Sequence, residues 1–258
     1  VEDTITRMKE EIEIDKYNKN GWKEIFKPWL RTPFIIAIGI MFVQQFTGIN
    51  TIIYYSPKIF LMAGFEGARA AIMASVSVGA VCVLSSIIAL SVVDRLGRRK
   101  LYMIGLSGMV GSLIALGMCF ALQSSLGDSV KQITVALVWI YIAFFAVSLG
   151  PLGWVIISEI FPLKVRGIGA SIGSFSNWLF NGVVAFTFFK IVKGMTMQGS
   201  DITVNNENLG NPAGAFWLYA LVGIAGLIWG YFYIPETKGK SLEMIEDHWR
   251  KGKTPREL

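Results

Sequence analysis

Six apolar stretches dominate the chain, at about 34–62, 70–93, 101–123, 132–157, 167–190 and 213–234, and none has an Asp or Glu in its core. Each is long enough to cross the ~30 Å hydrocarbon layer of a bilayer as a helix. That layer holds no water, so each stretch must pair its own backbone N–H and C=O groups, as a helix does. The expected fold is an all-α membrane protein, a six-transmembrane-helix bundle. Composition agrees. Of 258 residues, 53% are apolar and 16% are charged. A soluble domain carries about a quarter charged residues, which argues against a water-soluble enzyme.

The polar remainder divides the chain. Residues 1–31 precede the bundle, 32–234 form it, and 235–258 make a C-terminal tail. Of the 24 lysines and arginines, 19 lie in the two end segments and the loops 94–100 and 158–167. The others, Lys58, Arg69, Lys131, Lys190 and Lys193, mark the opposite ends of the spans. Positive residues favour the cytoplasmic side, and six spans return the chain to the side it started from. Both termini are therefore expected in the cytoplasm, in a plasma or inner membrane. The net charge of +6 reports orientation rather than nucleic-acid binding. The polar loop 194–212 is expected outside.

Trp22, Ile25, Phe26, Trp29 and Leu30 recur at helical spacing. They predict an amphipathic helix that lies on the membrane or packs on a neighbouring domain. Val1 opens the chain among charged residues, without a signal peptide or an initiator Met, so a fragment or a processed product is expected.

Acid–base and metal chemistry have little to work with. Cys82 and Cys119 each sit deep in an apolar stretch, and the single histidine, His248, is in the tail. No disulfide framework, metal site, cofactor or enzyme activity is expected. Pumps and symporters usually carry intramembrane carboxylates. Here a coupled ion would need a carboxylate from elsewhere, or backbone carbonyls.

The spans instead carry neutral hydrogen-bonding groups beside aromatics. The first holds Gln44, Gln45, Gly48 and Asn50, then Tyr54 and Tyr55. Amides are costly in hydrocarbon unless paired. Gln45 and Asn50 lie about 140° apart on an ideal helix and reach one cavity only if the helix bends near Gly48. The fourth span holds Gly150 and Pro151, a break tolerated mainly beside a cavity, and then Trp154. The fifth holds Ser174, Ser176, Asn177, Trp178 and Asn181. Amides pair with hydroxyls as donor and acceptor, and indole faces cover the C–H face of a sugar ring. The set suits an uncharged polyhydroxylated ligand. On the charged side, Asp94, Arg95, Arg98, Arg99 and Lys100 join spans two and three, and Glu159 through Arg166 join spans four and five. Opposite charges placed so can clasp two bundles in one state and release them in another.

These residues carry a resemblance. The run Gln44-Gln45-x-x-Gly48-x-Asn50-x-x-x-Tyr54-Tyr55 is similar to the seventh helix of the sugar porter family of the major facilitator superfamily. Asp94-Arg95-x-Gly97-Arg98-Arg99 resembles its loop between helices eight and nine. Gly150-Pro151-x-x-Trp154, Ser158 through Pro162 and Arg166-Gly167 resemble its tenth helix and the loop after it. Pro235-Glu236-Thr237-Lys238-Gly239 resembles the signature after the twelfth.

The resemblance implies the C-terminal half of a twelve-helix major facilitator fold. It implies transport of a monosaccharide (a hexose, pentose or related polyol) by alternating access. The partners it implies are the sugar, the lipid bilayer and an N-terminal six-helix half in the same polypeptide, a separate chain or a homodimer. Gln44, Gln45, Asn50, Trp154, Asn177 and Trp178 would bind the sugar. Tyr54, Tyr55, Gly150 and Pro151 would form gates. Asp94, Arg95, Arg98, Arg99, Glu159 and Arg166 would form a cytoplasmic salt-bridge network. Symporting members place their proton-coupling aspartate in the first helix, outside the matching region. Two positions depart from the pattern: Cys82 stands where an asparagine is usual, and Ala146 where many members have a glutamate. The rival readings are a non-transporting sugar sensor or scaffold, a six-span channel and an integral membrane enzyme.

Overall fold

The computed structural model describes residues 27–196, 200–204 and 207–258, without the side chain of Asp94. Among the described residues, six helical spans are long and apolar enough to cross a membrane: Pro28–Met62, Ala68–Val93, Arg98–Ala121, Ser129–Ile160, Leu163–Met195 and Ala213–Tyr233. Two are broken. The first comprises α1 (Arg31–Phe46) and α2 (Ile49–Met62). Helices α3 (Ala68–Leu96) and α4 (Arg98–Ala121) follow. After the short α5 (Gln123–Leu126), the fourth span comprises α6 (Ser129–Val147) and α7 (Leu149–Ile160). The bundle ends with α8 (Leu163–Met195) and α9 (Ala213–Tyr233). Two antiparallel two-residue strands, Thr203–Val204 and Glu207–Asn208, pair between them. Helix α10 (Leu242–Arg250) follows the last span.

The spans pack as a bundle. Helix α4 lies against α6 and α9, α3 against α2 and α6, and α8 against α1. Small residues allow the close approaches. On α4, a side chain at Gly105, Gly108 or Gly117 would run into Ser148, Phe144 or Trp217. Gly111, in the same series, faces open space. Much of α3 is exposed and apolar, including Met73, Val76, Val83, Leu84 and Ile87. That exposure suits a surface facing lipid or further protein.

Several local expectations are corrected. Trp29 and Leu30 belong to a 3-10 turn, Pro28–Leu30, rather than to a continuing amphipathic helix. Trp22, Ile25 and Phe26 lie outside the described residues. The sequence suggests that the first span ends near Pro57, but the helix runs through that residue to Met62. That proline leaves the Ile53 carbonyl without its usual donor, and the Ser56 hydroxyl donates to it at 3.2 Å. The fourth span breaks at Ser148, not at Gly150-Pro151; Ser148 has φ −120° and ψ −93°. The cause is still Pro151, whose ring clashes with the carbonyl four residues back, at Val147. In the new helix Pro151 sits in the first turn, where no donor is missed.

Nor is the C-terminal segment a free tail. Trp249 is buried and donates from its indole to the Ile160 carbonyl at 3.1 Å. Arg250 lies 4.3 Å from the Trp29 ring, and Arg256 donates to the Tyr231 hydroxyl at 2.6 Å.

Candidate functional site

The two broken spans meet at their breaks. In the first, Gly48 adopts φ 87°, a left-handed conformation, and a Cβ there would strike the Tyr219 ring. Both constraints favour glycine. The break leaves carbonyls without helical partners in a region that cannot offer water. The Thr47 hydroxyl donates to Gln44 O at 3.0 Å, and Tyr141 of α6 donates to Thr47 O at 2.9 Å. The break in one span is thus secured from the other.

A row of amides crosses this junction. Gln44 donates from Nε2 to Leu149 O at 2.7 Å and Gly150 O at 3.3 Å, the first carbonyls of α7. Its Oε1 accepts from Asn177 Nδ2 of α8 at 2.7 Å and from Gln45 Nε2 at 3.4 Å. Asn50 donates to Gln45 Oε1 at 2.7 Å. The turn at Gly48 brings Gln45 and Asn50 together, which a straight helix would prevent. Gln44 has used its hydrogen-bonding capacity. Asn50 Oδ1 and Asn177 Oδ1 accept no hydrogen bond from another described residue, and Gln45 has one amide hydrogen to spare. The row therefore ends in open donors and acceptors, and no charged side chain among the described residues joins it.

Of the remaining aromatic candidates, Trp154 follows Gly153, where a Cβ would sit 3.4 Å from Gln44 Nε2, and Trp178 follows Asn177 of the row. Trp154 and Trp178 are 43% and 69% exposed, and Tyr54 is 51% exposed. The Tyr54 hydroxyl accepts from Asn181 Nδ2 at 3.2 Å. Asn181 Oδ1 is buried without a partner, which makes Asn181 a neighbour of the row that the sequence reading left off the site. Tyr55 is differently placed from Tyr54. It donates to Ala185 O at 3.2 Å and stacks on Phe188 at 5.4 Å.

At the other end of the spans, Arg98 grips Glu159 through two nitrogens, at 2.8 and 3.2 Å. Thr237 donates to the same carboxylate at 2.5 Å. Glu236 accepts from the backbone N–H of Arg98 and Arg99, at 2.9 and 3.3 Å, so it caps α4. Gly97, at φ 84°, lies so close that a Cβ would sit 2.6 Å from Glu236 Oε2. Arg99 donates to Tyr231 O at 2.6 Å, and Arg95 O accepts from Lys238 at 2.7 Å. Arg166 donates to the Phe161 carbonyl at 3.4 Å rather than to a carboxylate, and its Nη2 is buried without a partner. The side chain of Asp94 lies outside the described residues. Glu236 and Thr237 are network members that sequence reasoning missed, although the motif containing them had drawn attention.

Residues 1–249 match the family described as "Sugar (and other) transporter". Over 238 residues the chain is 35% identical to the facilitated trehalose transporter Tret1 of Bombyx mori, covering 92% of this chain and 44% of that one. It is 30% identical to the major myo-inositol transporter IolT of Bacillus subtilis, over 92% of this chain and 46% of that one. The chain spans about half the length of these relatives. Its fold matches the proton:xylose symporter XylE bound to 6-bromo-6-deoxy-D-glucose, with TM-score 0.71 and 30% identity. That match covers 90% of this chain and 47% of XylE.

Proposed function

Because the chain belongs to the sugar porter family of the major facilitator superfamily, an integral membrane family, we propose that it supplies the C-terminal half of a transporter for a neutral sugar or polyol. One observation carries this reading. Gln44, just before one helix break, is hydrogen-bonded to Leu149 and Gly150, just after the other. Interrupted spans in corresponding positions of two repeats point to a midplane substrate site. Here they are the first and fourth of six.

In this reading Gln44 is a positioning residue, since its groups are already engaged. Gln45, Asn50 and Asn177 offer their free groups to sugar hydroxyls, and Trp154 and Trp178 cover the C–H faces. Tyr54 closes the outer side, with Tyr55 anchoring the same helix to α8. Gly150 and Pro151 place the inner hinge. The substrate would lie between this bundle and an N-terminal half. Alternating access follows when the two halves rock about that site. The pair Arg98–Glu159, with Thr237 and Glu236, ties spans three, four and six at one end, and rocking would load or release it. Lysine and arginine density makes that end cytoplasmic. Transport breaks no covalent bond, so the reading involves no enzyme activity.

Equilibrium binding of labelled sugars to the complete transporter tests the assignment. Gln45→Ala and Trp154→Ala should each weaken binding about tenfold, the scale of one lost hydrogen bond or aromatic contact. Unchanged affinity in both variants would defeat the site.

A further inference from the structure

Where α3, α4 and α6 meet, a recess of about 350 Å³ is walled by Val92 and Leu96 of α3, Leu101 and Ile104 of α4, and Ile140 and Phe144 of α6. Leu96, Ile104, Ile140 and Phe144 are exposed, so the recess opens on the surroundings of the bundle. Among its described lining residues Ser148 alone has a polar side chain, and that hydroxyl donates to Phe144 O at 2.5 Å. A separate cavity borders Gly150, at the amide junction, and takes Val93 of α3 with Phe145 and Ala146 of α6. The two share no lining residue, so the recess lies on other faces of α3 and α6 than those turned to the amide junction. From Ile140 to Val147 it covers about 10 Å along α6. Such a slot fits an extended acyl chain by van der Waals packing, the main attraction between apolar groups inside a membrane.

One rim of the recess is charged. Arg95 lies three residues after Val92, and Lys100 four before Ile104. Helical residues three or four apart share a face, so each cation stands beside a residue that lines the recess. Both are exposed. Among the described residues neither side chain has a hydrogen-bond or ion-pair partner; Arg95 engages Lys238 only through its carbonyl. Arg98 and Arg99, by contrast, are committed to Glu159 and to Tyr231 O. Two unpaired cations at the rim of an apolar slot complement a ligand with an anionic head and a hydrocarbon tail. Lysine and arginine density marks this rim as cytoplasmic, the face where anionic lipids attract basic side chains. We propose that the recess binds one anionic phospholipid, its acyl chain between α3, α4 and α6 and its phosphate held by Arg95 and Lys100. The lipid would bridge α3 and α4 across the turn at Gly97. The site is independent of the amide row.

The test is native mass spectrometry of the complete transporter in detergent, titrated with phosphatidylglycerol and, separately, with phosphatidylcholine of the same chains. The first phosphatidylglycerol should bind more tightly than further copies, and at least about fivefold more tightly than phosphatidylcholine. Arg95→Gln and, separately, Lys100→Gln should each weaken that first binding about fivefold, the scale of one basic side chain near anionic lipid. Lys190→Gln, at the opposite end of the spans, should not. Ile104→Trp fills the recess, keeps both charges, and should also weaken it. Lys100 is exposed, so its variant keeps the test available should another fail to fold. Excess glycerol 3-phosphate should leave the lipid bound; competition by that headgroup alone would make the site one for free phosphate and overturn the lipid assignment. Equal binding of the two lipids, an equal loss in Lys190→Gln, or undiminished binding in Ile104→Trp would overturn it as well. A failure here leaves sugar binding untouched, and a failure of the sugar site leaves the lipid result standing.

Discussion

Two side chains show how a broken helix is kept inside a membrane. Thr47 and Tyr141 donate to the carbonyls that the turn at Gly48 releases. Tyr141→Phe keeps the ring and removes the donor, leaving Thr47 O unpaired. An orphaned buried acceptor costs about 1–3 kcal/mol, so thermal unfolding in detergent should occur several degrees lower. An unchanged midpoint would mean that another group replaces the hydroxyl. At this scale the amides were legible, because Gln and Asn inside an apolar run demand partners. Tyr141 was not, since a tyrosine in such a run equally suits packing. Nor was the division of labour between Gln44 and Gln45. It depends on carbonyls of a helix some hundred residues away in sequence.

Among the elements, the start of α4 carries the most information. Only Gly97 separates α3 from α4, so the segment 94–100 is a hinge between helices rather than a loop. An anion at a helix N-terminus pairs with free N–H groups and the positive end of the helix dipole. Glu236 does this for α4 from the far end of the last span. Glu236→Ala should cost about 0.5–2 kcal/mol, as lost caps do, and speed hydrogen exchange at the first turn of α4. Exchange confined to its original rate would contradict the cap.

The C-terminal 3-10 turn has its own cap. The Thr254 backbone N–H donates to Glu257 at 2.9 Å and, with further hydrogen-bond and charge effects, holds that carboxyl below its usual range. A lowered native value means the cap's contribution is present above the ordinary carboxylate pKa. It is lost as pH falls through the lowered one. Protection of the amides near Thr254, with the pH dependence of the unstructured exchange rate divided out, should therefore fall only in acid, and an equal fall at neutral pH would contradict this. The spans themselves were visible from hydropathy to within several residues, because length and apolarity are local properties. The shift of the fourth-span break to Ser148 was not, since a proline acts on the carbonyl four residues before it. The docked tail was missed because its anchor, Trp249, reads alone as one residue in a charged helix.

For the whole molecule, the claim is that six helices form one wall of a substrate site. The amide row ends in unused groups, Trp154 and Trp178 are exposed, and the chain spans about half of its relatives' length. A midplane site between two halves needs both of them. The most direct measurement is counterflow of labelled sugar in liposomes, comparing the complete transporter with this chain alone. Saturable counterflow in the complete protein, and none from this chain as a monomer, is the predicted result. Saturable counterflow by the isolated monomer, or none in the complete protein for any neutral sugar or polyol, would contradict it.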